Sequence, residues 1–316
     1  MKGRKSMFGR PKVALALGGG AARGLAHIGV LEAFEKHGLR IDMITGTSMG
    51  AIIGAIYALE PSVTALKERF HRYLESEEFK ETHLSHLIAQ EDTDAGILDR
   101  LLQMAWKGLF YTLVVTRRSY YGKSSSQQNF AFMIDDLTFE DTRIPFCTTA
   151  LDLVSGEEVV FSSGSLRRAV SASCAIPGLL PPVQDKGRLL VDGGWIDAVP
   201  VMPAYRLGAD VVIAVDAAST LEPCGGLESA LEIIGRADGI ARWALSGERC
   251  RKADLVLRPQ NDGTHWADFS QFEEAVAVGR QAVEERLNAV EHLLRRSRWS
   301  LLWRNLFKGN LSGRRN

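Results

Sequence analysis

The sequence predicts an α/β domain with a mostly parallel central sheet and a helical insertion. Three observations predict it. The first 60 residues alternate strand, loop, helix, strand, turn and helix, the rhythm of a parallel sheet. A charged, amphipathic stretch at Val63–Asp141 then breaks that rhythm with few strand signals. From Phe146 the short apolar strand pattern returns.

Each element follows from its pattern. Lys12–Leu17 is apolar and ends at three glycines, as a buried strand does. Leu25–His37 places Leu25, Ile28, Leu31 and Phe34 on one helical face, and Gly38 stops it. Met43–Thr45 is a second short strand. Met49–Leu59 is small and apolar all round, which fits a buried helix ended by Pro61. Within the insertion, Val63–Lys80 and Ile97–Leu109 have helical spacing, and a Ser-rich "GKSSSQ" follows. Strands are then expected at Phe146–Leu151, Glu158–Phe161, Leu189–Val191, Val211–Val215 and Asp254–Leu257. Helices are expected at Leu166–Cys174, Gly226–Arg249 and Gln271–Arg296. The domain division that follows is a basic arm at 1–11, a body at 12–296 with a helical lid at 63–141, and a basic tail at 297–316.

The composition is that of a globular protein: 316 residues, 46% hydrophobic and 24% charged. Net charge is zero, yet residues 1–12 and 292–316 together hold 12 basic residues and no acid, leaving the centre at −12. The ends, rather than the body, are therefore expected to meet an anionic surface, and no nucleic-acid partner is expected. Cys147, Cys174, Cys224 and Cys250 have no CxxC spacing and read as free thiols of a reducing compartment. No apolar run is long enough to span a bilayer, and the basic start has no apolar h-region after it. The expected location is cytoplasmic, peripheral on the inner membrane face.

Three motifs carry chemistry. Gly46-Thr47-Ser48-Met49-Gly50 matches G-x-S-x-G between a short strand and a buried helix. A nucleophilic serine on such a turn has strained backbone angles, so residues two away must be small. The turn also sets Oγ over a helix N-terminus, where partial positive charge favours an oxyanion. The second motif is "GGGAARG" after the first strand. It is a poor dinucleotide fingerprint: Arg23 stands where the third glycine belongs, and Asp42 begins the second strand instead of ending it. Read with Ser48, the amides of Gly18–Ala21 form an oxyanion hole, and Arg23 supports it or pairs with a carboxylate. The third motif is Asp192-Gly193-Gly194 after a strand, which offers a base at the sheet's carboxyl edge or a turn-capping aspartate. His265 follows Asp192 in the order a triad would need. His27 reads as a core histidine, His292 as a solvated one, and "HLSH" at 83–86 as surface rather than a metal site.

These ordered motifs, with "SASCAIPGLLPPV" at Ser171–Val183, resemble the patatin-like phospholipase family, its bacterial branch in particular. The resemblance spans Lys12–Val215. It implies a three-layer α/β/α fold and a Ser48–Asp192 dyad without histidine, with Gly18, Gly19, Gly20 and Met49 as oxyanion hole and Arg23 supporting. It implies a lipid acyl-ester hydrolase acting on phospholipid or lysophospholipid, with no cofactor and no metal. An acyltransferase, a triad hydrolase using His265, a non-catalytic membrane scaffold and, more remotely, a nucleotide-binding protein are the alternatives. In the tail, Trp299, Leu302, Trp303 and Leu306 share one helical face among arginines. That face either lies on a membrane or docks on the body.

Overall fold

The computed structural model describes residues 10–82, 119–218, 221, 225–227, 229–260 and 264–295. The basic arm to residue 9, the expected helix at Ile97–Leu109 and the tail from 297 lie outside the described residues.

Eight strands form one sheet: β1 (Val13–Leu17), β2 (Met43–Gly46), β3 (Phe146–Asp152), β4 (Glu158–Phe161), β5 (Val183–Asp185), β6 (Arg188–Asp192), β7 (Val211–Val215) and β8 (Leu255–Leu257). The order is β5-β6-β3-β2-β1-β7-β8, with β4 also on β3. The core β3-β2-β1-β7-β8 is parallel, while β4, β5 and β6 add antiparallel pairs. β1 and β7 are apolar throughout because both faces are covered.

The covering helices make three layers. On one face Leu15, Leu17, Ile44, Ile213 and Val215 pack with α1 (Ala26–Lys36), α2 (Met49–Leu59), α3 (Val63–Glu75) and α9 (Phe272–Glu284). On the other, Ala14, Ala16, Val212 and Ala214 meet α7 (Val201–Arg206) and the end of α8 (Ala230–Cys250). Between these come α4 (Glu77–Lys80), α5 (Lys123–Met133) and α6 (Leu166–Ser173). Leu25, Ile28, Leu31 and Phe34 are fully buried, as their spacing predicts.

The differences from expectation are local. A 3-10 turn at Ala21–Leu25 precedes α1. α8 starts at Ala230 rather than Gly226, because Ser229 and Glu232 cap it reciprocally. α9 ends at Glu284, and helix resumes over 287–295. β5 was not expected; it has three residues and half-exposed ends, so no alternation is legible. Nor was α5, which opens on serines and buries only Phe130 and Met133. Its partner in the insertion, α3, buries Val63, Leu66 and Phe70 in the main core.

The closest helix contact is between α1 and α9. A Cβ on Gly279 would lie 1.8 Å from the Ala26 carbonyl oxygen, and one on Gly29 the same distance from that of Val276. Gly279→Ala is therefore expected to push these helices apart and destabilise the domain by about 1–3 kcal/mol. The midpoint of urea unfolding measures it, and an unchanged midpoint would contradict this packing.

Candidate active site

Ser48 joins β2 to α2 at φ 55° and ψ −122°. Packing enforces the turn. A Cβ on Gly50 would lie 2.2 Å from the Leu17 carbonyl oxygen, and one on Gly46 would lie 2.3 Å from that of Gly50. The spacing of glycines around Ser48 is thus a steric requirement, as its sequence motif predicts.

The serine's own peptide group is held by the chain after α6. The Ser48 N–H donates to Ser173 Oγ at 3.0 Å. Cys174 Sγ donates to the Ser48 carbonyl at 3.2 Å. Burial, and then the charge of Asp192, push the Cys174 thiol well up, which keeps it protonated for that bond. The Asp192 N–H donates to the Ala175 carbonyl at 2.9 Å. Three consecutive residues therefore fix both Ser48 and Asp192. Sequence reading marked this segment only by its resemblance, since its hydrogen bonds are to distant residues.

Asp192 does not end a parallel strand. β6 runs antiparallel to β3, with Asp192 as its last residue. The register still brings it to the serine. Gly46 pairs Thr148 and Asp192 pairs Ala150, while β4 pairs both of these β3 residues from the other edge, so β2 and β6 lie end to end along one edge of β3. Ser48, two residues beyond Gly46, therefore meets Asp192 directly, and their side chains hydrogen-bond. Beneath them Thr47 Oγ1 and Thr149 Oγ1 share a 2.8 Å hydrogen bond, and Thr47 donates to the Asp197 carbonyl.

The Asp192 carboxyl is 2% exposed. Oδ1 accepts from the Gly194 N–H at 2.7 Å, so the Asp-Gly-Gly turn is both a cap and the mount of a buried acid. Burial pushes its pKa up to about 6; hydrogen bonding to the Ser48 side chain, the Gly194 amide and the Arg242 charge hold it back. A second buried acid, Asp197, sits 3.2 Å from Arg249, which it shares with Glu158.

The glycine loop corrects one expectation. The Gly18 N–H donates to the Val215 carbonyl at 3.0 Å and the Gly19 N–H to that of Ala198 at 2.9 Å. Both amides are spent on anchoring the loop, so neither faces an oxyanion. Among the described residues the amides of Gly20, Ala21 and Met49 have no backbone acceptor. Ala21, Ser48 and Met49 line one cavity. His27 is buried and locks the loop from below: its Nε2 donates to the Gly18 carbonyl at 2.7 Å. Burial lowers its pKa to about 4, so the ring is neutral at pH 7. Arg23 donates through Nε to the Thr264 carbonyl at 2.8 Å, and the Ala22 N–H donates to Trp266. They tie down the loop that brings Trp266 and Phe269 to the cavity. His265 Nδ1 accepts from the Ala267 N–H, and His265 is not among the cavity's lining residues. Asp42, the residue a ribose would need, accepts instead from Val13 and Arg10.

The cavity is apolar. Ile52, Phe70, Phe130, Met133 and Leu179 form much of its wall, and its open volume is about 920 Å³. Tyr73 Oη donates to Asn129 Oδ1 at 2.7 Å within an otherwise greasy lining.

The raised pKa of Asp192 has a stability consequence. A carboxyl whose folded pKa exceeds its unfolded value favours folding below the unfolded pKa and loses that contribution as pH rises through about 6. Asn cannot ionise and keeps the oxygen that Gly194 donates to. Asp192→Asn is therefore expected to melt above wild type at pH 7.5, with the gap closing near pH 4. Thermal melts across that range measure it; a gap independent of pH would refute the burial argument.

Comparison with known proteins adds the lineage. The family model described as patatin-like phospholipase matches residues 15–205. Patatin-like phospholipase domain-containing protein 6 of Homo sapiens is 31% identical over 267 residues, which is 84% of this chain and 16% of that protein. An uncharacterized NTE family protein of Mycobacterium bovis is 33% identical over 207 residues, 65% of this chain and 49% of that one. Relatives thus lie in eukaryotes and bacteria alike, and the chain spans less than half of either protein. The structure of human GIVD cytosolic phospholipase A2 is similar in fold, with 12% identity, a TM-score of 0.52, and coverage of 91% of this chain and 60% of that one. By the extent of the family match and the order of its three motifs, the chain belongs to the patatin-like phospholipase family.

Proposed function

We propose that this chain hydrolyses lipid acyl esters through a Ser48–Asp192 dyad, as a phospholipase A or lysophospholipase. The observation that carries the proposal is a strained, cavity-facing Ser48 hydrogen-bonded to a buried carboxylate that meets it on the same edge of β3. Ser48 Oγ attacks the ester carbonyl while its proton passes to Asp192. The tetrahedral oxyanion faces the amides of Gly20, Ala21 and Met49 at the N-terminus of α2. The intermediate collapses, Asp192 returns the proton to the departing alcohol, and an acyl-serine remains. Water, losing its proton to Asp192, attacks the acyl-serine, and on collapse Asp192 returns that proton to Ser48 Oγ, which releases the fatty acid and restores the free serine and carboxylate. An ordinary aspartate is a weak base for a serine, and burial corrects this by raising its proton affinity.

The apolar cavity beside Ser48 supports an acyl chain as the group bound there. The walls from α3 and α5 make the insertion the part that selects it. Arg23 acts indirectly, by holding the Trp266 loop. Three free cysteines, Cys147, Cys174 and Cys250, support a cytoplasmic location, with the basic ends at the inner membrane face.

A fluorophosphonate probe tests the mechanism. Wild type is expected to label on one serine, Ser48→Ala not at all, and Asp192→Asn at least about 100-fold more slowly. Labelling rates in wild type are expected to fall as pH drops through about 6, where Asp192 takes up its proton. Equal labelling of Ser48→Ala would end the proposal. A 100-fold loss in His265→Ala would replace the dyad with a triad.

A further inference from the structure

α8 is built unlike the other covering helices. It has 21 residues, yet only Ser246 and Cys250, near its C-terminus, are buried. Arg242 marks where it passes the catalytic turn: its guanidinium lies 4.4 Å from the Trp195 ring centroid, and its charge acts on Asp192. Residues 230–241 continue beyond that point, which at about 1.5 Å per residue is some 18 Å of helix. This projecting part begins after β7, whose carboxyl end lies beside the Gly18 loop.

The projecting helix is apolar and exposed. Ile234 is 63% exposed, Ile233 54% and Trp243 52%, with Leu231, Ile240 and Leu245 also open. At about 100° per residue they form two stripes, Leu231–Ile234–Leu245 and Ile233–Ile240–Trp243, roughly 160° apart. The exposed Ala237, Ala241 and Ala244 fill the arc between them. A helix that packs on one protein surface needs an apolar stripe of about 100°. An apolar arc this wide, on a stretch of helix that buries none of its side chains, fits a surrounding that closes over several sides at once. Of its charges, Glu232 accepts from the Ser229 N–H at the helix start, Arg242 is paired with Asp238, and Arg236, which falls within the Ile233 stripe, also has a partner.

We propose that α8 inserts into a lipid surface and places the catalytic turn at that surface. The choice of lipid over a second copy rests on the width of the apolar arc and on the lipid acyl-ester reading of the Ser48 site. This contact is distinct from the basic ends: it is apolar, close to Asp192, and insensitive to salt.

The test uses the full chain and phosphatidylcholine vesicles at about 0.3 M salt, where charge contacts of the ends are screened. Wild type is expected to co-sediment. The triple variant Ile233→Ser, Ile234→Ser, Trp243→Ser is expected to bind at least about ten-fold more weakly. Its hydrolysis of a soluble short-chain ester should be unchanged, since none of the three touches the site. Equal vesicle binding by the variant, or none by wild type, overturns the proposal. So does a wild-type dimer that the variant converts to monomer without change in vesicle binding, which would assign the face to a second copy. The soluble ester and the fluorophosphonate probe report on the serine hydrolase reading separately, so its failure is distinguishable.

Discussion

Ser48 occupies a left-handed backbone conformation with φ 55°, and everything in the site is arranged around keeping it there. Such a conformation costs a non-glycine residue on the order of 1–2 kcal/mol, so surrounding contacts must over-determine it. They do so from three directions. β1 presses on Gly50 from below, Ser173 and Cys174 hold the Ser48 peptide from the side, and α2 continues from its far end. The same turn aims the Met49 amide and the positive end of α2 at the place where a negative oxygen would form. The strain, the exposure of Ser48 to the cavity and the N-terminus of α2 beside it are consequences of one backbone geometry.

The second constraint is a buried carboxylate. Asp192 is nearly inaccessible, has one strong amide donor and feels one partly exposed cation, so desolvation prevails over them and its proton affinity rises. That is unfavourable for folding at neutral pH and favourable for abstracting a proton from a serine. Among the described residues no histidine hydrogen-bonds Asp192, which is consistent with this division. The buried histidine nearby, His27, is neutral and spent on the Gly18 carbonyl. The loop it supports then needs no charged group of its own, because its free amides supply the dipoles.

The two faces of the sheet divide the remaining work. Helices on the α1 and α2 side build the cavity, with aromatic and aliphatic side chains from α3, α5 and the loop before α9. The opposite side packs small residues, Ala14, Ala16 and Ala214, against α7 and the end of α8. Among the described residues α8 is buried only at that end, with Arg242 also stacked on Trp195, which leaves the rest of its length exposed.

The sequence determined the parts that are local in origin. Strand and helix periodicity gave β1, β2, α2, β3 and β7 within a residue or so, because both-side burial makes a strand uniformly apolar and a buried helix small. G-x-S-x-G named Ser48, since the steric need for glycine is satisfied by residues two positions away. The Asp-Gly-Gly turn by itself offered Asp192 as a base or as a turn cap, and the family resemblance alone pointed to the first. Elements with weak burial, such as β5 and α5, left no pattern to read. What the tertiary structure alone decided is which groups remain unpaired. Four consecutive amides looked equivalent, yet Val215 and Ala198, some 180–200 residues away, claim those of Gly18 and Gly19 and leave those of Gly20 and Ala21. The antiparallel course of β6, the duty of Arg23 at Thr264 and the clamp from Ser173 to Ala175 are likewise set by partners far along the chain. A hydrogen bond forms between groups that meet in space, and sequence spacing carries no record of such a meeting beyond the length of a turn.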